Sequence, residues 1–286
     1  MPELPEVETV VRGLARCLPG RRITSVTVLH RPSIAGSPGK PDCLCGRRVE
    51  RVFRRGKFIR MELDGGLGVA VHLRMTGWLG LRACGNVPAP SHTRQAETPA
   101  LPDAYVRLKL LLDGGRDELI FRDIRTFGRF WCGPAEAIEK LKALSRLGPE
   151  PLDIDARTFT RRLRARHGGL KALLLNQEFL AGVGNIYADE SLHAAGLHPL
   201  KHASGVKPQR AEALHAAIQQ VLAASIRAGG SSIENFVNAS GERGWFQREL
   251  LVYGRAGEPC RRCGAPIKRI VVGQRGTWFC PRCQKR

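Results

Sequence analysis

The sequence predicts an α+β protein of several domains: a β-rich half opened by one helix, then an α-rich half, then a short cysteine hairpin. Three observations predict this. Short apolar runs bounded by Gly and Pro fill the first half, helical periodicity takes over from residue 134, and two Cys-x-x-Cys pairs close the chain. At 286 residues and 43% hydrophobic content, the chain is long enough for two ordinary domains with a core in each.

The elements follow in order. Val7, Val10, Val11, Leu14 and Leu18 recur at helical spacing, with Pro5 and Glu6 suited to a first turn, so one amphipathic helix is expected over Pro5–Leu18. Alternating or β-rich runs come next, at 23–29, 49–55, 57–63, 67–74, 105–112, 117–123 and 126–132. Strands at that spacing make a sandwich or a barrel. Residues 83–104, rich in Pro and small polar residues, interrupt them as a mobile insertion. From 134–145 onward the pattern is helical, through DARTFTRRLRAR, LKALLLNQ, IYADESLHAA and KPQRAEALHAAIQQVLAASIRA, and it ends in the glycine-bounded loop 229–244. No internal repeat is visible.

Charge narrows the partners. The formal net charge is +20, and residues 1–135 carry 22 basic and 13 acidic side chains against 24 and 13 in the remainder. Basicity in both halves favours a polyanion gripped by two lobes, although a ribosome-like or simply soluble basic surface accounts for the same number. No apolar stretch approaches the roughly 20 residues that span a bilayer, and acids stand where a signal peptide would be basic and then apolar. A cytosolic protein is expected. Of nine cysteines only Cys260, Cys263, Cys280 and Cys283 form a pattern, while Cys17, Cys43, Cys45, Cys84 and Cys132 read as buried or free thiols.

The two cysteine pairs, with sixteen residues between them, fit a tetrahedral four-thiolate zinc site on two knuckles. Four thiolates leave no open position, so the expected ion is structural. From Pro259 to Arg286 there are eight basic residues, no acidic ones and too few apolar ones for a core, so metal ligation must replace burial. The hairpin between the knuckles sets Arg275 at a turn, where it could enter a nucleic acid.

The opening MPELPEVETV runs against the overall charge. A small penultimate residue such as Pro2 lets the initiator methionine be removed, which exposes a secondary amine. An α-amino group has a reference pKa of roughly 8, so a neutral fraction exists at physiological pH to attack a sugar's anomeric carbon and form a Schiff base. Glu3 is placed to act as general acid and base on that sugar, and Glu6 to hold the turn by accepting backbone N–H bonds. Taken alone, the tripeptide is better accounted for by an ordinary Pro-Glu helix start.

PELPEVET, RRGKF (54–58), HLRMTG (72–77), DIRTFG (123–128), LGPEPL (147–152), NQEFLAGVGNIYADE (176–190) and the terminal cysteine hairpin occur in that order. Together they resemble the bacterial formamidopyrimidine-DNA glycosylases, over nearly the whole chain apart from the 83–104 insertion. The resemblance implies a two-layered β-sandwich catalytic domain at 1–133, a linker at 134–151, a helix–two-turn–helix DNA-binding domain with a lid loop at 152–258, and a zinc finger at 259–286. It implies a DNA cleft between the lobes, a monomer, a bacterial cytosol and nucleoid location, damaged double-stranded DNA as partner and one structural zinc ion. The activity implied is bifunctional base-excision repair: removal of 8-oxoguanine and formamidopyrimidines, then strand cleavage by β,δ-elimination.

By the same resemblance Pro2 is the nucleophile, Glu3 the proton donor, Lys57 the β-elimination lysine and Arg275 the δ-elimination arginine. Asn185 anchors a DNA phosphate, and His72 contacts another. Met75, Arg125 and Phe127 fill the gap left by the extruded nucleotide: a thioether and a ring replace stacking, and a guanidinium bonds the orphaned cytosine. Taken alone, Lys57 reads as a solvated strand-end lysine, Asn185 as a helix cap, and Met75 and Phe127 as core residues in strands. Among Arg166, His167 and Lys171, one or more is expected on phosphate. Two departures from the family pattern stand out. LPDAY replaces a phosphate-contacting histidine before Tyr105, with His92 a possible substitute, and Thr126 occupies a commonly basic position. Two alternatives remain. A related enzyme for oxidised pyrimidines usually has Gly at the position of Leu4, and a non-catalytic zinc-ribbon module would not need Pro2, Glu3 and Lys57.

Overall fold

The computed structural model describes residues 1–83, 103–115, 117–232 and 236–285, so most of the expected insertion, with Cys84 and His92, lies outside the described residues. The chain divides into two units. Unit 1 is Met1–Ser145 with Ala228–Trp245, and unit 2 is Arg146–Arg227 with Phe246–Arg286.

Unit 1 begins with helix α1, Leu4–Ala15, which buries Leu4, Val7, Val10, Val11 and Leu14 along one face. It ends three residues earlier than the apolar spacing suggests, Leu18 being buried from the turn that follows, and Gly20 (φ 85°) carries the chain away. The strands are β1 (Ile23–Val28), β2 (Val49–Arg55), β3 (Phe58–Leu63), β4 (Leu67–His72), β5 (Gly77–Ala83), β6 (Val106–Leu112), β7 (Asp117–Asp123) and β8 (Arg129–Pro134). They form two four-stranded sheets, ordered β1-β6-β7-β5 and β2-β3-β4-β8, with antiparallel pairing throughout. Met61, Val69, Val71 and Phe130 of one sheet share a core with Leu108, Leu110, Leu119 and Phe121 of the other, and α1 adds Val7, Val10 and Leu14. Unit 1 is therefore a two-layered β-sandwich.

Two expectations about strands need correction. β5 was hidden by its glycines, and they have a packing reason: a Cβ at Gly80 would lie 2.6 Å from the Ala239 carbonyl oxygen and 2.2 Å from the Trp78 ring. Trp78 Nε1 donates to the Asn238 carbonyl at 2.9 Å, so the returning segment 228–245 lies against β5. The sequence groups that loop with the helices; its packing is on the sandwich. The second correction is that β4 stops at His72 and β8 starts only at Arg129, because Arg74 (φ 55°) and Thr126 (φ 59°) take left-handed backbone that no strand accommodates.

Unit 1 closes with two short helices, α2 (Ala135–Glu139) and α3 (Lys142–Ser145). Unit 2 holds α4 (Ala156–Arg164), α5 (Leu170–Leu175), α6 (Asn185–Ala194) and α7 (Pro208–Arg227), then the hairpin β9 (Lys268–Val272) and β10 (Arg275–Phe279). Asp155 caps α4 by accepting from the Thr158 amide at 2.8 Å. The α5–α6 connection is two turns organised by one amide: Gln177 accepts from Gly182 N at 2.9 Å and donates to the Leu175 and Val183 carbonyls at 2.9 and 2.8 Å. Gly148 of LGPEPL sits against these turns, where a Cβ would come within 2.5 Å of the Glu178 carbonyl. This is the helix–two-turn–helix arrangement. Among the described residues no helix is long and apolar enough to cross a membrane.

Candidate active site

In unit 1 the candidate nucleophile stands at the start of α1. Met1 is exposed, while Pro2 and Glu3 are buried. Glu6 fixes this turn with both carboxylate oxygens. Oε2 accepts from the Glu3 amide at 2.8 Å, and Oε1 accepts from the Ser231 amide at 2.7 Å. The first contact is half of a capping box, and the second joins the N-terminus to the root of the 228–245 return. Gly230 (φ 83°) is required there, since a Cβ would meet Glu6 Oε1 at 3.0 Å. The expected holding role of Glu6 thus has a geometry, including a partner 225 residues away that no local pattern reveals.

Lys57 occupies the two-residue turn between β2 and β3, where Arg55 pairs with Phe58. Hairpin tips are ordinarily solvated, yet Lys57 is only 6% exposed. Six residues on from the candidate nucleophile, Glu8 binds Arg54 at 2.9 Å, which sets α1 beside the RRGKF hairpin. Burial pushes the Glu8 carboxyl up, but Arg12 and Arg54 outweigh it and hold the group below the usual carboxylate range. His72 stacks edge-on against Phe58 at 4.7 Å and accepts the Arg74 amide on Nδ1 at 3.0 Å. Burial, reinforced by the Arg74 and Lys57 cations, pushes its pKa down to about 3. The ring is therefore neutral, and its proton sits on Nε2.

Met75 lies on the turn between β4 and β5, and Arg125 and Phe127 lie on the loop between β7 and β8, not in strands. Phe127 is 50% exposed, and the Arg125 guanidinium lies over its ring at 4.9 Å. A half-exposed phenylalanine is no core residue. Both loops are tied to Asp123, a residue of the DIRTFG motif that local pattern does not single out.

In unit 2 Asn185 opens α6 and donates from Nδ2 to the Gly276 carbonyl at 3.0 Å, which places it beside Arg275 at the head of β10. Its Oδ1 is buried with no hydrogen-bond partner. Arg275 follows a two-residue turn in which Gly273 (φ 54°) and Gln274 (φ 62°) are both left-handed, a geometry that turns the hairpin tightly. Among the described residues, three of the four non-glycine residues with positive φ, Arg74, Thr126 and Gln274, directly precede or separate Met75, Arg125, Phe127 and Arg275. Strain of this kind concentrates where function requires it.

Of the three residues left open on the stretch 164–171, Arg166 and His167 are exposed, whereas Lys171 is fully buried. Its Nζ meets Asp189 at 2.6 Å and the Gly276 carbonyl at 3.4 Å, so Lys171 braces the hairpin. The other Asp189 oxygen accepts from Trp278 N at 3.0 Å, and Glu190 accepts the amides of Leu251, Val252 and Tyr253 at 2.8–2.9 Å. Burial pushes the Asp189 carboxyl up to about 7 against the pull of the Lys171 ammonium. Because removal of one partner strands a buried charge, Lys171→Met is expected to destabilise unit 2 by about 3–5 kcal/mol in denaturant unfolding. Loss of less than about 1 kcal/mol would mean that the pair contributes no more than an exposed one.

The four cysteines converge. Their Sγ atoms all lie within 4.8 Å of one another, with Cys260 to Cys283 at 4.0 Å and Cys263 to Cys280 at 3.4 Å. A tetrahedron of zinc–sulfur bonds of about 2.3 Å has edges of roughly 3.8 Å, so the cluster fits one zinc ion. Buried His193 adds an outer contact, its Nε2 lying 3.5 Å from Cys260 Sγ.

Comparison with known proteins agrees with this fold. Residues 1–130 match the formamidopyrimidine-DNA glycosylase N-terminal domain, 147–237 its H2TH domain, and 257–286 the zinc finger found in FPG and IleRS. The formamidopyrimidine-DNA glycosylase of Solibacter usitatus is 44% identical over 291 residues, covering 100% of both chains. A Lactococcus lactis Fpg solved with DNA containing an abasic site is 34% identical, with a TM-score of 0.84 over 99% of this chain and 100% of that one. A MutM solved with DNA containing carbocyclic 8-oxo-G is also 34% identical, with a TM-score of 0.84 over 100% of both. The fold, the zinc cluster and these similarities define a DNA glycosylase of base-excision repair. The chain belongs to the formamidopyrimidine-DNA glycosylase family.

Proposed function

We propose that this chain excises oxidised purines, 8-oxoguanine and formamidopyrimidines, from damaged double-stranded DNA and then cleaves the strand at the abasic site. It acts as one copy in the bacterial cytosol and nucleoid. The observation that carries this reading is the buried Pro2–Glu3 start of α1, held at its main chain by Glu6.

With Met1 attached, the Pro2 nitrogen is an amide and has no basic lone pair. Removal of Met1 makes it a secondary amine that attacks the anomeric carbon as the damaged base departs with the glycosidic electron pair. Glu3 donates a proton to the opening sugar, and the amine–carbon adduct becomes an iminium. The iminium acidifies the neighbouring sugar carbon, so the 3′ phosphate leaves by β-elimination with Lys57 at the backbone. The 5′ phosphate leaves by δ-elimination, assigned to Arg275. His72 offers phosphate a neutral N–H, and Asn185, at the start of α6, offers its amide where the helix dipole favours an anion. Zinc, when bound, holds the hairpin that carries Arg275 and does no chemistry on the DNA. Met75, Arg125 and Phe127 form the wedge that occupies the vacated stack.

A single gel assay tests the reading, with duplexes carrying 8-oxoguanine opposite cytosine, an oxidised pyrimidine, or an abasic site. Cleavage of the first should exceed the second by at least about tenfold in single-turnover rate, which corresponds to one good polar contact in the lesion pocket. Equal rates would favour the pyrimidine enzyme, and no cleavage of any duplex the non-catalytic module. Met75→Ala should slow 8-oxoguanine excision by about 10–100-fold, because unstacking costs a few kcal/mol that the wedge offsets. Binding to undamaged duplex, which rests on phosphate contacts, should be nearly unchanged.

A further inference from the structure

Two loops from different strand pairs carry the wedge, and one buried carboxylate holds both. Asp123, at the end of β7, is 0% exposed. Its Oδ1 accepts from the Thr76 hydroxyl at 2.5 Å and from the Arg125 amide at 3.2 Å, and its Oδ2 accepts from the Gly128 amide at 2.6 Å. Thr76 Oγ1 in turn accepts from the Arg125 amide at 3.0 Å. A single hydroxyl therefore stands between the residue after Met75 and the backbone of Arg125.

We propose that Thr76 and Asp123 are positioning residues that lock the Met75 turn to the Arg125–Phe127 loop, so that the three side chains enter the vacated stack as one preformed wedge. This rests on the excision reading above and names what sets the geometry of that same site. The loop from Ile124 to Gly128 is short, and its middle residue, the β-branched Thr126, sits at φ 59°. Such a residue keeps left-handed backbone only where its surroundings enforce it. The enforcement is visible on both sides: Asp123 grips the amide before Thr126 and the amide two residues after it. Gly128 leaves no room for relaxation, since a Cβ there would lie 2.6 Å from the Phe121 ring and 3.0 Å from Asp123 Oδ2. On the other loop, Gly77 permits the tight return to Leu73, whose carbonyl oxygen would lie 2.3 Å from a Cβ at 77. The Asp123 carboxylate thus serves both loops as a buried acceptor, and the Thr76 hydroxyl links the Met75 turn directly to the Arg125 amide.

Thr76→Val removes the hydroxyl and keeps the shape, and Thr76→Ser keeps the hydroxyl. In single-turnover excision from an 8-oxoguanine–cytosine duplex, Thr76→Val should be slower by about tenfold, as expected for losing a hydrogen bond to a charged group, and Thr76→Ser should stay within about twofold of wild type. Cleavage at a preformed abasic site, where no base is expelled, should fall less than about twofold in Thr76→Val. A fluorescent cytosine analogue opposite the lesion should show delayed unstacking in Thr76→Val alone. In a Met75→Ala background Thr76→Val should add little further loss, because residues acting as a unit are not additive. The proposal is overturned by a wild-type excision rate in Thr76→Val, by equal impairment of the Ser and Val variants, or by full additivity with Met75→Ala. If Thr76→Val does not fold, Thr76→Ala is read against Thr76→Ser by the same criteria. A wild-type rate in Met75→Ala would overturn the wedge reading and this proposal together; a slow Met75→Ala with a fast Thr76→Val overturns this proposal alone.

Discussion

A chain that keeps any residue before Pro2 is expected to lose base excision and strand cleavage together, and borohydride should no longer join it to damaged DNA. The reasoning is chemical before it is structural. An acylated proline nitrogen has no basic lone pair, so the block removes the proposed nucleophile itself and leaves its surroundings in place. Retention of an uncleaved tag should therefore lower single-turnover excision of 8-oxoguanine by at least about 10³-fold, whereas binding to the same duplex, which depends on distant phosphate contacts, should change little. Glu3→Gln should separate the two halves of the reaction. Base excision needs proton transfer to the sugar and should fall by about 10²–10⁴, while nicking at a preformed abasic site should fall far less. Glu6→Gln should be milder on chemistry but should loosen the start of α1, because one amide oxygen and one NH2 group replace two acceptors facing the Glu3 and Ser231 amides. Borohydride trapping that survives a blocked N-terminus would move the nucleophile to a lysine, and Lys57, buried at its hairpin tip, would be the next to test.

The legibility of this protein follows the range of the interactions involved. Helix α1 and most strands were readable because periodicity is local, and the zinc cluster because its four ligands come in two short spacings. What escaped is non-local. β5 carries two glycines, and Gly80 is needed because a segment almost 160 residues later packs on it. Lys171 belongs to a basic stretch that reads as a phosphate contact without singling it out, and its partner Asp189 is 18 residues away on another helix, in a pair closed to solvent. Asp123 and Thr76 lie within motifs whose neighbouring residues carry the resemblance, and their link spans 47 residues. Met75 and Phe127 resemble strand residues by composition. Only the left-handed backbone at Arg74 and Thr126, which a sequence without glycine there does not announce, puts them on loops.

Cys260→Ser is expected to empty the zinc site and release the terminal hairpin while leaving unit 1 folded. The fully buried apolar residues around the cluster are few: beside Cys260 and Cys280, the small core holds Val252 and Ile267, with Ala265 and Trp278 only partly buried. Two aliphatic side chains contribute about 3–6 kcal/mol by burial, far less than the ordering of some twenty residues costs at about 1.5 kcal/mol each. Metal ligation, worth roughly 10–16 kcal/mol for such sites, is the largest single contribution that opposes this cost. The anchors from α6 do not replace it. The Asn185–Gly276 and Asp189–Trp278 bonds hold β10 where it is already folded, and each contributes only about 1–3 kcal/mol. Zinc content measured by mass spectrometry should fall from one ion per chain to near zero, and Trp278 should report loss of its packed environment. If Arg275 and its hairpin hold phosphates as proposed, DNA affinity should fall by at least about tenfold, with a shallower salt dependence because fewer phosphates are neutralised. Unit 1, whose core contains none of these residues, should retain its own unfolding transition. A Cys260→Ser chain that still holds one zinc would show that three thiolates suffice, with His193 at 3.5 Å from Cys260 Sγ the nearest replacement ligand. His193→Phe in that background would then have to release the ion.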